Sequence, residues 1–143
     1  MVSTPSATPG LLVFAIVGAL GAVTPNSTVF AQSIVPANDG TGTQVTPTGN
    51  RIDITGGQQS NDGRNLFHSF EQFGLKTGET ANFHSSPQTQ NIFGQILGGN
   101  ASYINGTLQV SGSFANLYLL NPAGIFFGAD ATLNVPADFT ATT

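Results

Sequence analysis

The sequence contains no cysteine, and only 7% of its 143 residues are charged. Without cysteine, neither a disulfide framework nor a thiolate metal site can form. The basic side chains are Arg51, Arg64 and Lys76, and the formal net charge is −4. So few positive charges cannot neutralise a phosphate backbone, which argues against nucleic acid as a partner.

Glycine and uncharged polar residues take the places that Lys and Glu usually occupy. The chain has 18 glycines and many Ser, Thr, Asn and Gln residues, a composition that favours short strands and turns over helices. Its 11 phenylalanines argue against disorder, because a disordered chain needs low hydrophobicity and high net charge. The length suffices for one domain with its own core.

The N-terminal residues have the pattern of a secretory signal peptide. Residues 11–23 form an apolar stretch that is too short to span a bilayer comfortably. Small or modest residues then occupy the −3 and −1 positions of a cleavage site after Ala31. No Lys or Arg precedes the apolar stretch, which a start site assigned downstream of a basic segment would explain. We expect a signal peptide over residues 1–31 and a mature chain over residues 32–143.

The mature chain reads as a series of short strands. Residues 32–49 are polar, with prolines and glycines, and indicate an extended N-terminal capping segment. Residues 51–55 alternate polar and apolar, as in a half-buried strand, and residues 65–73 predict a strand with a bend. Residues 91–97 could form one face of a short helix. However, Gly94 would cost such a helix ~1 kcal/mol, so a strand is favoured.

Two near-identical segments indicate a repeat. Thr107-Leu108-Gln109-Val110 returns as Thr-Leu-Asn-Val at 132–135, an offset of 25 residues. A solenoid turn of roughly 20–30 residues would give this offset. The alternative is an antiparallel sandwich, which also uses many short strands, and the Asn-Gly pair at 105–106 is a good hairpin signal. The uncharged polar composition and the repeated segment favour the solenoid.

Residues 119–128 join two uncharged apolar runs through a tight Asn-Pro-x-Gly turn. Pro122 presets φ for the second position of a type I or II turn, and Gly124 can adopt positive φ at little steric cost. Both flanking runs are predicted to be buried strands. The prediction is therefore strand, corner, strand.

Several segments occur together in an order that resembles a known family. They are Asn-Leu-Phe-His-Ser-Phe at 65–70, Gln-Asn-Ile at 90–92, Ile-Asn-Gly at 104–106 and Ala-Asn-Leu-Tyr-Leu-Leu-Asn-Pro-Ala-Gly-Ile-Phe-Phe-Gly at 115–128. Together they resemble the N-terminal secretion domain of filamentous-haemagglutinin-like exoproteins of two-partner secretion, of the cyanobacterial type. The likeness covers residues 33–143.

The family signature is Asn-Pro-Asn-Gly-Ile, and this chain carries it with one departure. Asn121, Pro122, Gly124 and Ile125 match, whereas Ala123 replaces the second Asn. A second family motif, Asn-Pro-Asn-Leu, is not found. By resemblance, these five residues form the secretion motif. Alanine cannot supply the side-chain hydrogen bond of the family's second Asn, but we still expect the turn itself to form.

The resemblance implies both a fold and a function. The fold is a right-handed, single-stranded parallel β-helix, a pectin-lyase-like solenoid, with an N-terminal cap. The implied function is secretion targeting. After export by the Sec machinery, POTRA domains of an outer-membrane β-barrel transporter recognise the domain in the periplasm, and the chain folds outside the cell. It would then be secreted or displayed at the cell surface, without enzymatic activity or a cofactor.

Two further expectations complete this interpretation. The chain ends in strand-like sequence without a polar cap, which predicts that residues 32–143 are the N-terminal part of a truncated secretion domain. Adhesion is an alternative function, with a host or neighbouring surface bound through downstream repeats. A polysaccharide-degrading β-helix enzyme is a third, less favoured candidate, because no spacing places two carboxylates together.

For the side chains that could bind a metal or a ligand, the sequence favours structural roles. His68 and His84, with Glu71 nearby, would need a further ligand to bind a metal, so ordinary strand or loop histidines are favoured. Eight phenylalanines are predicted to stack in the core: Phe67, Phe70, Phe73, Phe83, Phe93, Phe114, Phe126 and Phe127. Four asparagines are expected to form ladders between turns: Asn65, Asn82, Asn116 and Asn134.

Overall fold

A computed structural model describes residues 34–143, so the predicted signal peptide lies outside the described residues. The described part consists of strands and turns, and none of it forms a helix capable of crossing a membrane. Its strands are β1 (Val35–Pro36), β2 (Thr43–Thr48), β3 (Arg51–Gly56), β4 (Gln58–Gln59), β5 (Asn65–Gln72), β6 (Thr80–His84), β7 (Asn91–Ile96), β8 (Ser102–Ile104), β9 (Thr107–Ser111), β10 (Asn116–Leu120), β11 (Ile125–Phe127), β12 (Thr132–Asn134) and β13 (Phe139–Thr142).

The strands stack into three sheets that run along a coil of about 4 turns. Sheet 1 has the order β2-β3-β6-β9-β12, sheet 2 the order β1-β5-β7-β10-β13, and sheet 3 pairs β8 with β11. Strands on successive turns pair in parallel from β3 and β5 onward. The chain therefore visits the sheets in sequence as it winds, which is the arrangement of a parallel β-helix. The predicted fold is confirmed.

The strand register confirms the repeat read from the sequence. Thr107 pairs with Thr132 and Leu108 with Leu133, across parallel strands β9 and β12. The Asn-Gly pair at 105–106 does not form a hairpin, because β8 and β9 lie in different sheets. The sandwich alternative is therefore wrong. The segment that could have been a short helix is strand β7, as predicted.

In β3, β7, β9 and β10, alternate residues fill the interior. In β10, Leu117 and Leu119 are fully buried while their neighbours are half-buried, and β3 buries Ile52 and Ile54 in the same way. Period-2 alternation of this kind is what a half-buried sheet requires. Each fully buried large apolar side chain contributes roughly 1.5–3 kcal/mol relative to an exposed one, so this buried interior stabilises the stacked turns.

The predicted phenylalanine core is correct for three residues and wrong for the others. Phe70, Phe73 and Phe83 are buried and contact one another, with ring centroids 5.1–6.3 Å apart. The remaining five lie on the outside or only partly inside: Phe67, Phe93, Phe114, Phe126 and Phe127. The outer rings stack along the coil, for instance in the column of sheet 2 that ends at Tyr118. Stacking between turns thus stabilises aromatic side chains outside the core.

The first turn is covered by antiparallel strands, which confirms the predicted N-terminal cap. Strand β2 pairs with β3 over its whole length, and β1 and β4 pair with β5. Among residues 34–143, strands β1 and β2 are thereby at the cap-side edges of their sheets, and each contains a proline, Pro36 and Pro47. Proline has no N–H to donate to a further strand, so it is tolerated at a sheet edge.

Candidate functional site

The predicted secretion motif forms a tight turn between β10 and β11. The N–H of Gly124 donates to the backbone oxygen of Asn121 at 2.9 Å, which closes a four-residue β-turn. The N–H of Ala123 donates to Asn121 Oδ1, also at 2.9 Å, so the asparagine side chain supports the same turn. Gly124 has a φ of 115°, which only glycine adopts readily. The predicted turn is confirmed.

Asn121 is fully buried although it is polar. Its Nδ2 donates to the backbone oxygen of Asn100 and to Ser102 Oγ, each at 2.9 Å, on the preceding turn of the coil. Its backbone N–H donates to the oxygen of Thr142 in β13, on the following turn. Both N–H groups of the side-chain amide are therefore used. Asn121 connects three successive turns at one corner.

The other motif residues lie outside this buried corner. Pro122 and Ala123 are exposed, and Ile125 is half-buried at the start of β11, where it pairs with Ser102. The run after the turn is not buried as predicted, since Phe126 and Phe127 are 53% and 47% exposed. Strand β11 has only β8 as a neighbour in its sheet among the described residues. The spacing of apolar residues along a sequence does not show how many strands will lie beside a given strand, so it did not predict the exposure of β11.

Ala123→Asn, which restores the family signature, is expected to have little effect on the stability of the folded domain. The turn uses the backbone N–H of residue 123, and that side chain is exposed. We expect the free energy of unfolding to stay within about 0.5 kcal/mol of its original value, as measured by urea unfolding. A larger change in either direction would show that the side chain at 123 makes contacts that this geometry does not provide.

His68 lies in β5 on the first turn and contacts the cap. It is 2% exposed, its Nδ1 is 3.2 Å from Thr43 Oγ1 of β2, and its ring packs near Phe70 and Phe83. Its Nε2 is buried without a hydrogen-bond partner among residues 34–143. Burial lowers the pKa of His68 to about 4, so the ring is neutral at neutral pH.

His84 lies on the outer face of sheet 1 and pairs with Asp53. Its Nε2 is 2.8 Å from Asp53 Oδ1, and Arg51 Nε is 3.1 Å from the same carboxylate. The hydrogen bonds from His84 and then Arg51 lower the pKa of Asp53 to about 2. The two histidines serve different contacts and do not converge with Glu71. Within residues 34–143 no group of three or more His, Asp or Glu side chains is placed to hold a metal ion.

Two columns of polar side chains run along the outer faces, as expected from the asparagines. Column A lies on sheet 1 and column B on sheet 2. Column A consists of Asp53, Asn82, Gln109 and Asn134, and column B of Asn65, Asn91 and Asn116. The four predicted asparagines thus divide between two columns. Asn91 and Gln109 were missed, although the offset of about 25 residues between turns could have identified them.

Comparison with known families identifies a match. The model of a family described as "TPS secretion domain" matches residues 31–143. The matched region includes every strand of the described coil and the turn at Asn121. A search of curated proteins finds no match.

Proposed function

The chain belongs to the TPS secretion domain family, which targets exoproteins for secretion, and we propose that an outer-membrane β-barrel transporter with POTRA domains recognises it in the periplasm. The observation that carries this proposal is the family match, which spans the whole described coil. The proposal includes Sec-dependent export and removal of residues 1–31. It also includes folding of the β-helix outside the cell, with no catalytic step.

The physical properties of the chain support passage in an unfolded state. Only 7% of its residues are charged, so threading through a pore would desolvate few ions. The structure is built from turns that each contact their neighbours, so a completed turn offers its unpaired strand edges to the next. Folding on the far side would then oppose return of the chain.

Within this function, the turn at Asn121 acts at the folding step. Its side chain bonds Asn100 and Ser102 on one turn, and its backbone bonds Thr142 on another. Those partners come together only in the folded coil. The buried asparagine therefore fixes the corner, while Pro122 and Ala123 are the exposed motif side chains that a partner can contact.

Secretion of the full chain with and without its transporter tests the proposal. We expect the protein outside the cell to fall to background when the transporter is deleted, while precursor and processed chain remain inside. A plasmid-borne transporter restores secretion, which is the control for secondary effects. Equal amounts outside the cell in both strains would overturn the proposed function. N-terminal sequencing of the secreted protein would test cleavage after Ala31.

A further inference from the structure

The amide bonds in the two columns all run in one direction. In column A, Asn82 Nδ2 donates to Asp53 Oδ1 at 3.3 Å, and Gln109 Nε2 donates to Asn82 Oδ1 at 3.3 Å. Asn134 Nδ2 then donates to Gln109 Oε1 at 3.0 Å. Column B has the same sense, because each Nδ2 donates to the Oδ1 of the preceding turn. In every link the later turn donates and the earlier turn accepts.

A column made only of amides has no intrinsic direction. Each Asn or Gln carries both an N–H₂ donor and a carbonyl acceptor, so rotating every amide by half a turn reverses all bonds without losing any. A group that can only accept, or only donate, removes this freedom. The direction of a column is therefore set wherever such a group is attached.

Column A begins at a group that can only accept. Asp53 is held by Arg51 and His84, its side chain is 13% exposed, and these contacts keep its pKa near 2, so it is ionised at neutral pH. Asn82 therefore directs its N–H₂ toward Asp53, where its Nδ2 also lies 3.2 Å from His84 Nε2, and its oxygen toward the next turn. Gln109 meets that oxygen and must donate in turn.

We propose that Asp53 is a positioning residue that sets the direction of column A, so that each folded turn presents an oxygen to the amide of the next. Column B reaches the same direction from its other end. There, the backbone N–H of Asp138, which can only donate, bonds Asn116 Oδ1 at 3.0 Å. The inference deepens the proposed function and rests on it, since it names the side chain that orients turns as they add to the coil.

The direction matters because a reversed amide would bring its oxygen against the oxygen of the amide on the preceding turn. An amide added with its oxygen toward the column would place two acceptors face to face and leave both without a donor. Asp53, on the first turn, thereby determines which of its two orientations each later side-chain amide of column A adopts. Asp53 exerts this effect on Gln109 through Asn82 and without contact.

A double-mutant cycle between Asp53 and Gln109 tests the proposal on the purified full chain. Gln109→Glu alone makes both neighbours of Asn82 acceptors, so one oxygen pair is unavoidable. In the Asp53→Asn background the column can reverse, since the new amide at position 53 donates to Asn82, which then donates to the carboxylate introduced at position 109. We expect Gln109→Glu to lower the folded-to-unfolded ratio about tenfold in the original chain and less than about twofold in the Asp53→Asn background.

Three controls separate the effect of hydrogen-bond direction in column A from charge repulsion, from the Gln-to-Glu change itself and from a failure to fold. Repulsion between the carboxylate of Asp53 and the one introduced at position 109 is screened at 1 M salt, where the Debye length is ~3 Å, and the coupling should persist there. Gln95→Glu makes the same change at an exposed position of sheet 2, and its effect should be equal in both backgrounds. If Asp53→Asn fails to fold, Asp53→Ser supplies a background whose hydroxyl both donates and accepts.

Equal effects of Gln109→Glu in both backgrounds would overturn the proposal. Residues 53 and 109 are about two strand spacings apart, and at that distance the free-energy changes of two substitutions add unless an interaction network couples the two sites. Coupling that vanishes at high salt would overturn it as well. Neither result affects the proposed function, which fails only if secretion does not depend on the transporter. The two failures are therefore distinguishable.

Discussion

Replacement of Asn121 by aspartate is expected to reduce the secreted, protease-resistant protein to background. The change puts an oxygen where Nδ2 now donates to the oxygens of Asn100 and Ser102, and it buries a negative charge at a fully buried position. Leaving a buried acceptor without its donor costs about 1–3 kcal/mol, and a buried unpaired charge costs more. We expect the free energy of unfolding to fall by about 3–5 kcal/mol, as measured by urea unfolding.

Asn100→Asp is the matched control for this experiment. It introduces the same charge on the preceding turn of the coil, at an exposed residue that uses only its backbone oxygen in the contact with Asn121. We expect its stability to change by no more than about 0.5 kcal/mol, and its secretion to be normal. If the two variants are secreted equally and resist protease equally, the buried amide is not required and the corner does not act in folding.

Acidification is expected to destabilise the folded domain well before its carboxylates are protonated. The pKa of His68 falls from an ordinary value of 6.5 to about 4 when the ring is buried in the fold, so the unfolded chain takes up the proton first. The free energy of unfolding therefore decreases as the pH falls from about 6.5 to about 4, by about 3 kcal/mol in total. Above pH ~6.5 this contribution is constant, because both states are neutral at His68.

His68→Gln should remove this pH dependence, whereas His84→Gln at an exposed histidine should retain it. Urea unfolding at several pH values between about 5 and 7 measures both slopes. In this window the carboxylates of Asp39, Asp53 and Asp62 stay ionised in the folded and the unfolded chain, because their ordinary pKa of 3.8 lies below it and the fold lowers that pKa further, each chiefly through a hydrogen bond from another side chain. A slope in His68→Gln equal to that of the original chain would show that burial of His68 is not the cause.

The parallel coil was predictable because its determinants are local and periodic. The repeat of Thr107 at Thr132 gives the register directly, and short strands without charge leave few alternatives. The turn at Asn121 was predictable for the same reason, since proline and glycine restrict backbone angles within four residues. Asn-Gly at 105–106 misleads only if its neighbours are assumed to pair with each other.

What the sequence does not reveal is which side of a strand faces inward when both sides are apolar. Phe67 and Phe70 lie in one strand, yet one is 42% exposed and the other fully buried. Burial of His68 and Asn121 was equally hidden, because a polar residue enters a core only where distant residues provide partners or space. Those partners, such as Thr43 for His68, are set by the stacking of turns and not by spacing along the chain.

The prolines in the cap have a consequence for assembly. The parallel strands of this coil repeat at the separation of neighbouring β-strands, about 4.7–4.9 Å, which is also the repeat of a cross-β fibril. An uncovered first turn would present that repeat to other chains as a seed. Pro36 in β1 and Pro47 in β2 occupy the outermost strands on this side and interrupt the row of N–H donors that fibril elongation requires. Among residues 34–143, the edge strands of the cap that contain these prolines are therefore poor templates for a further strand.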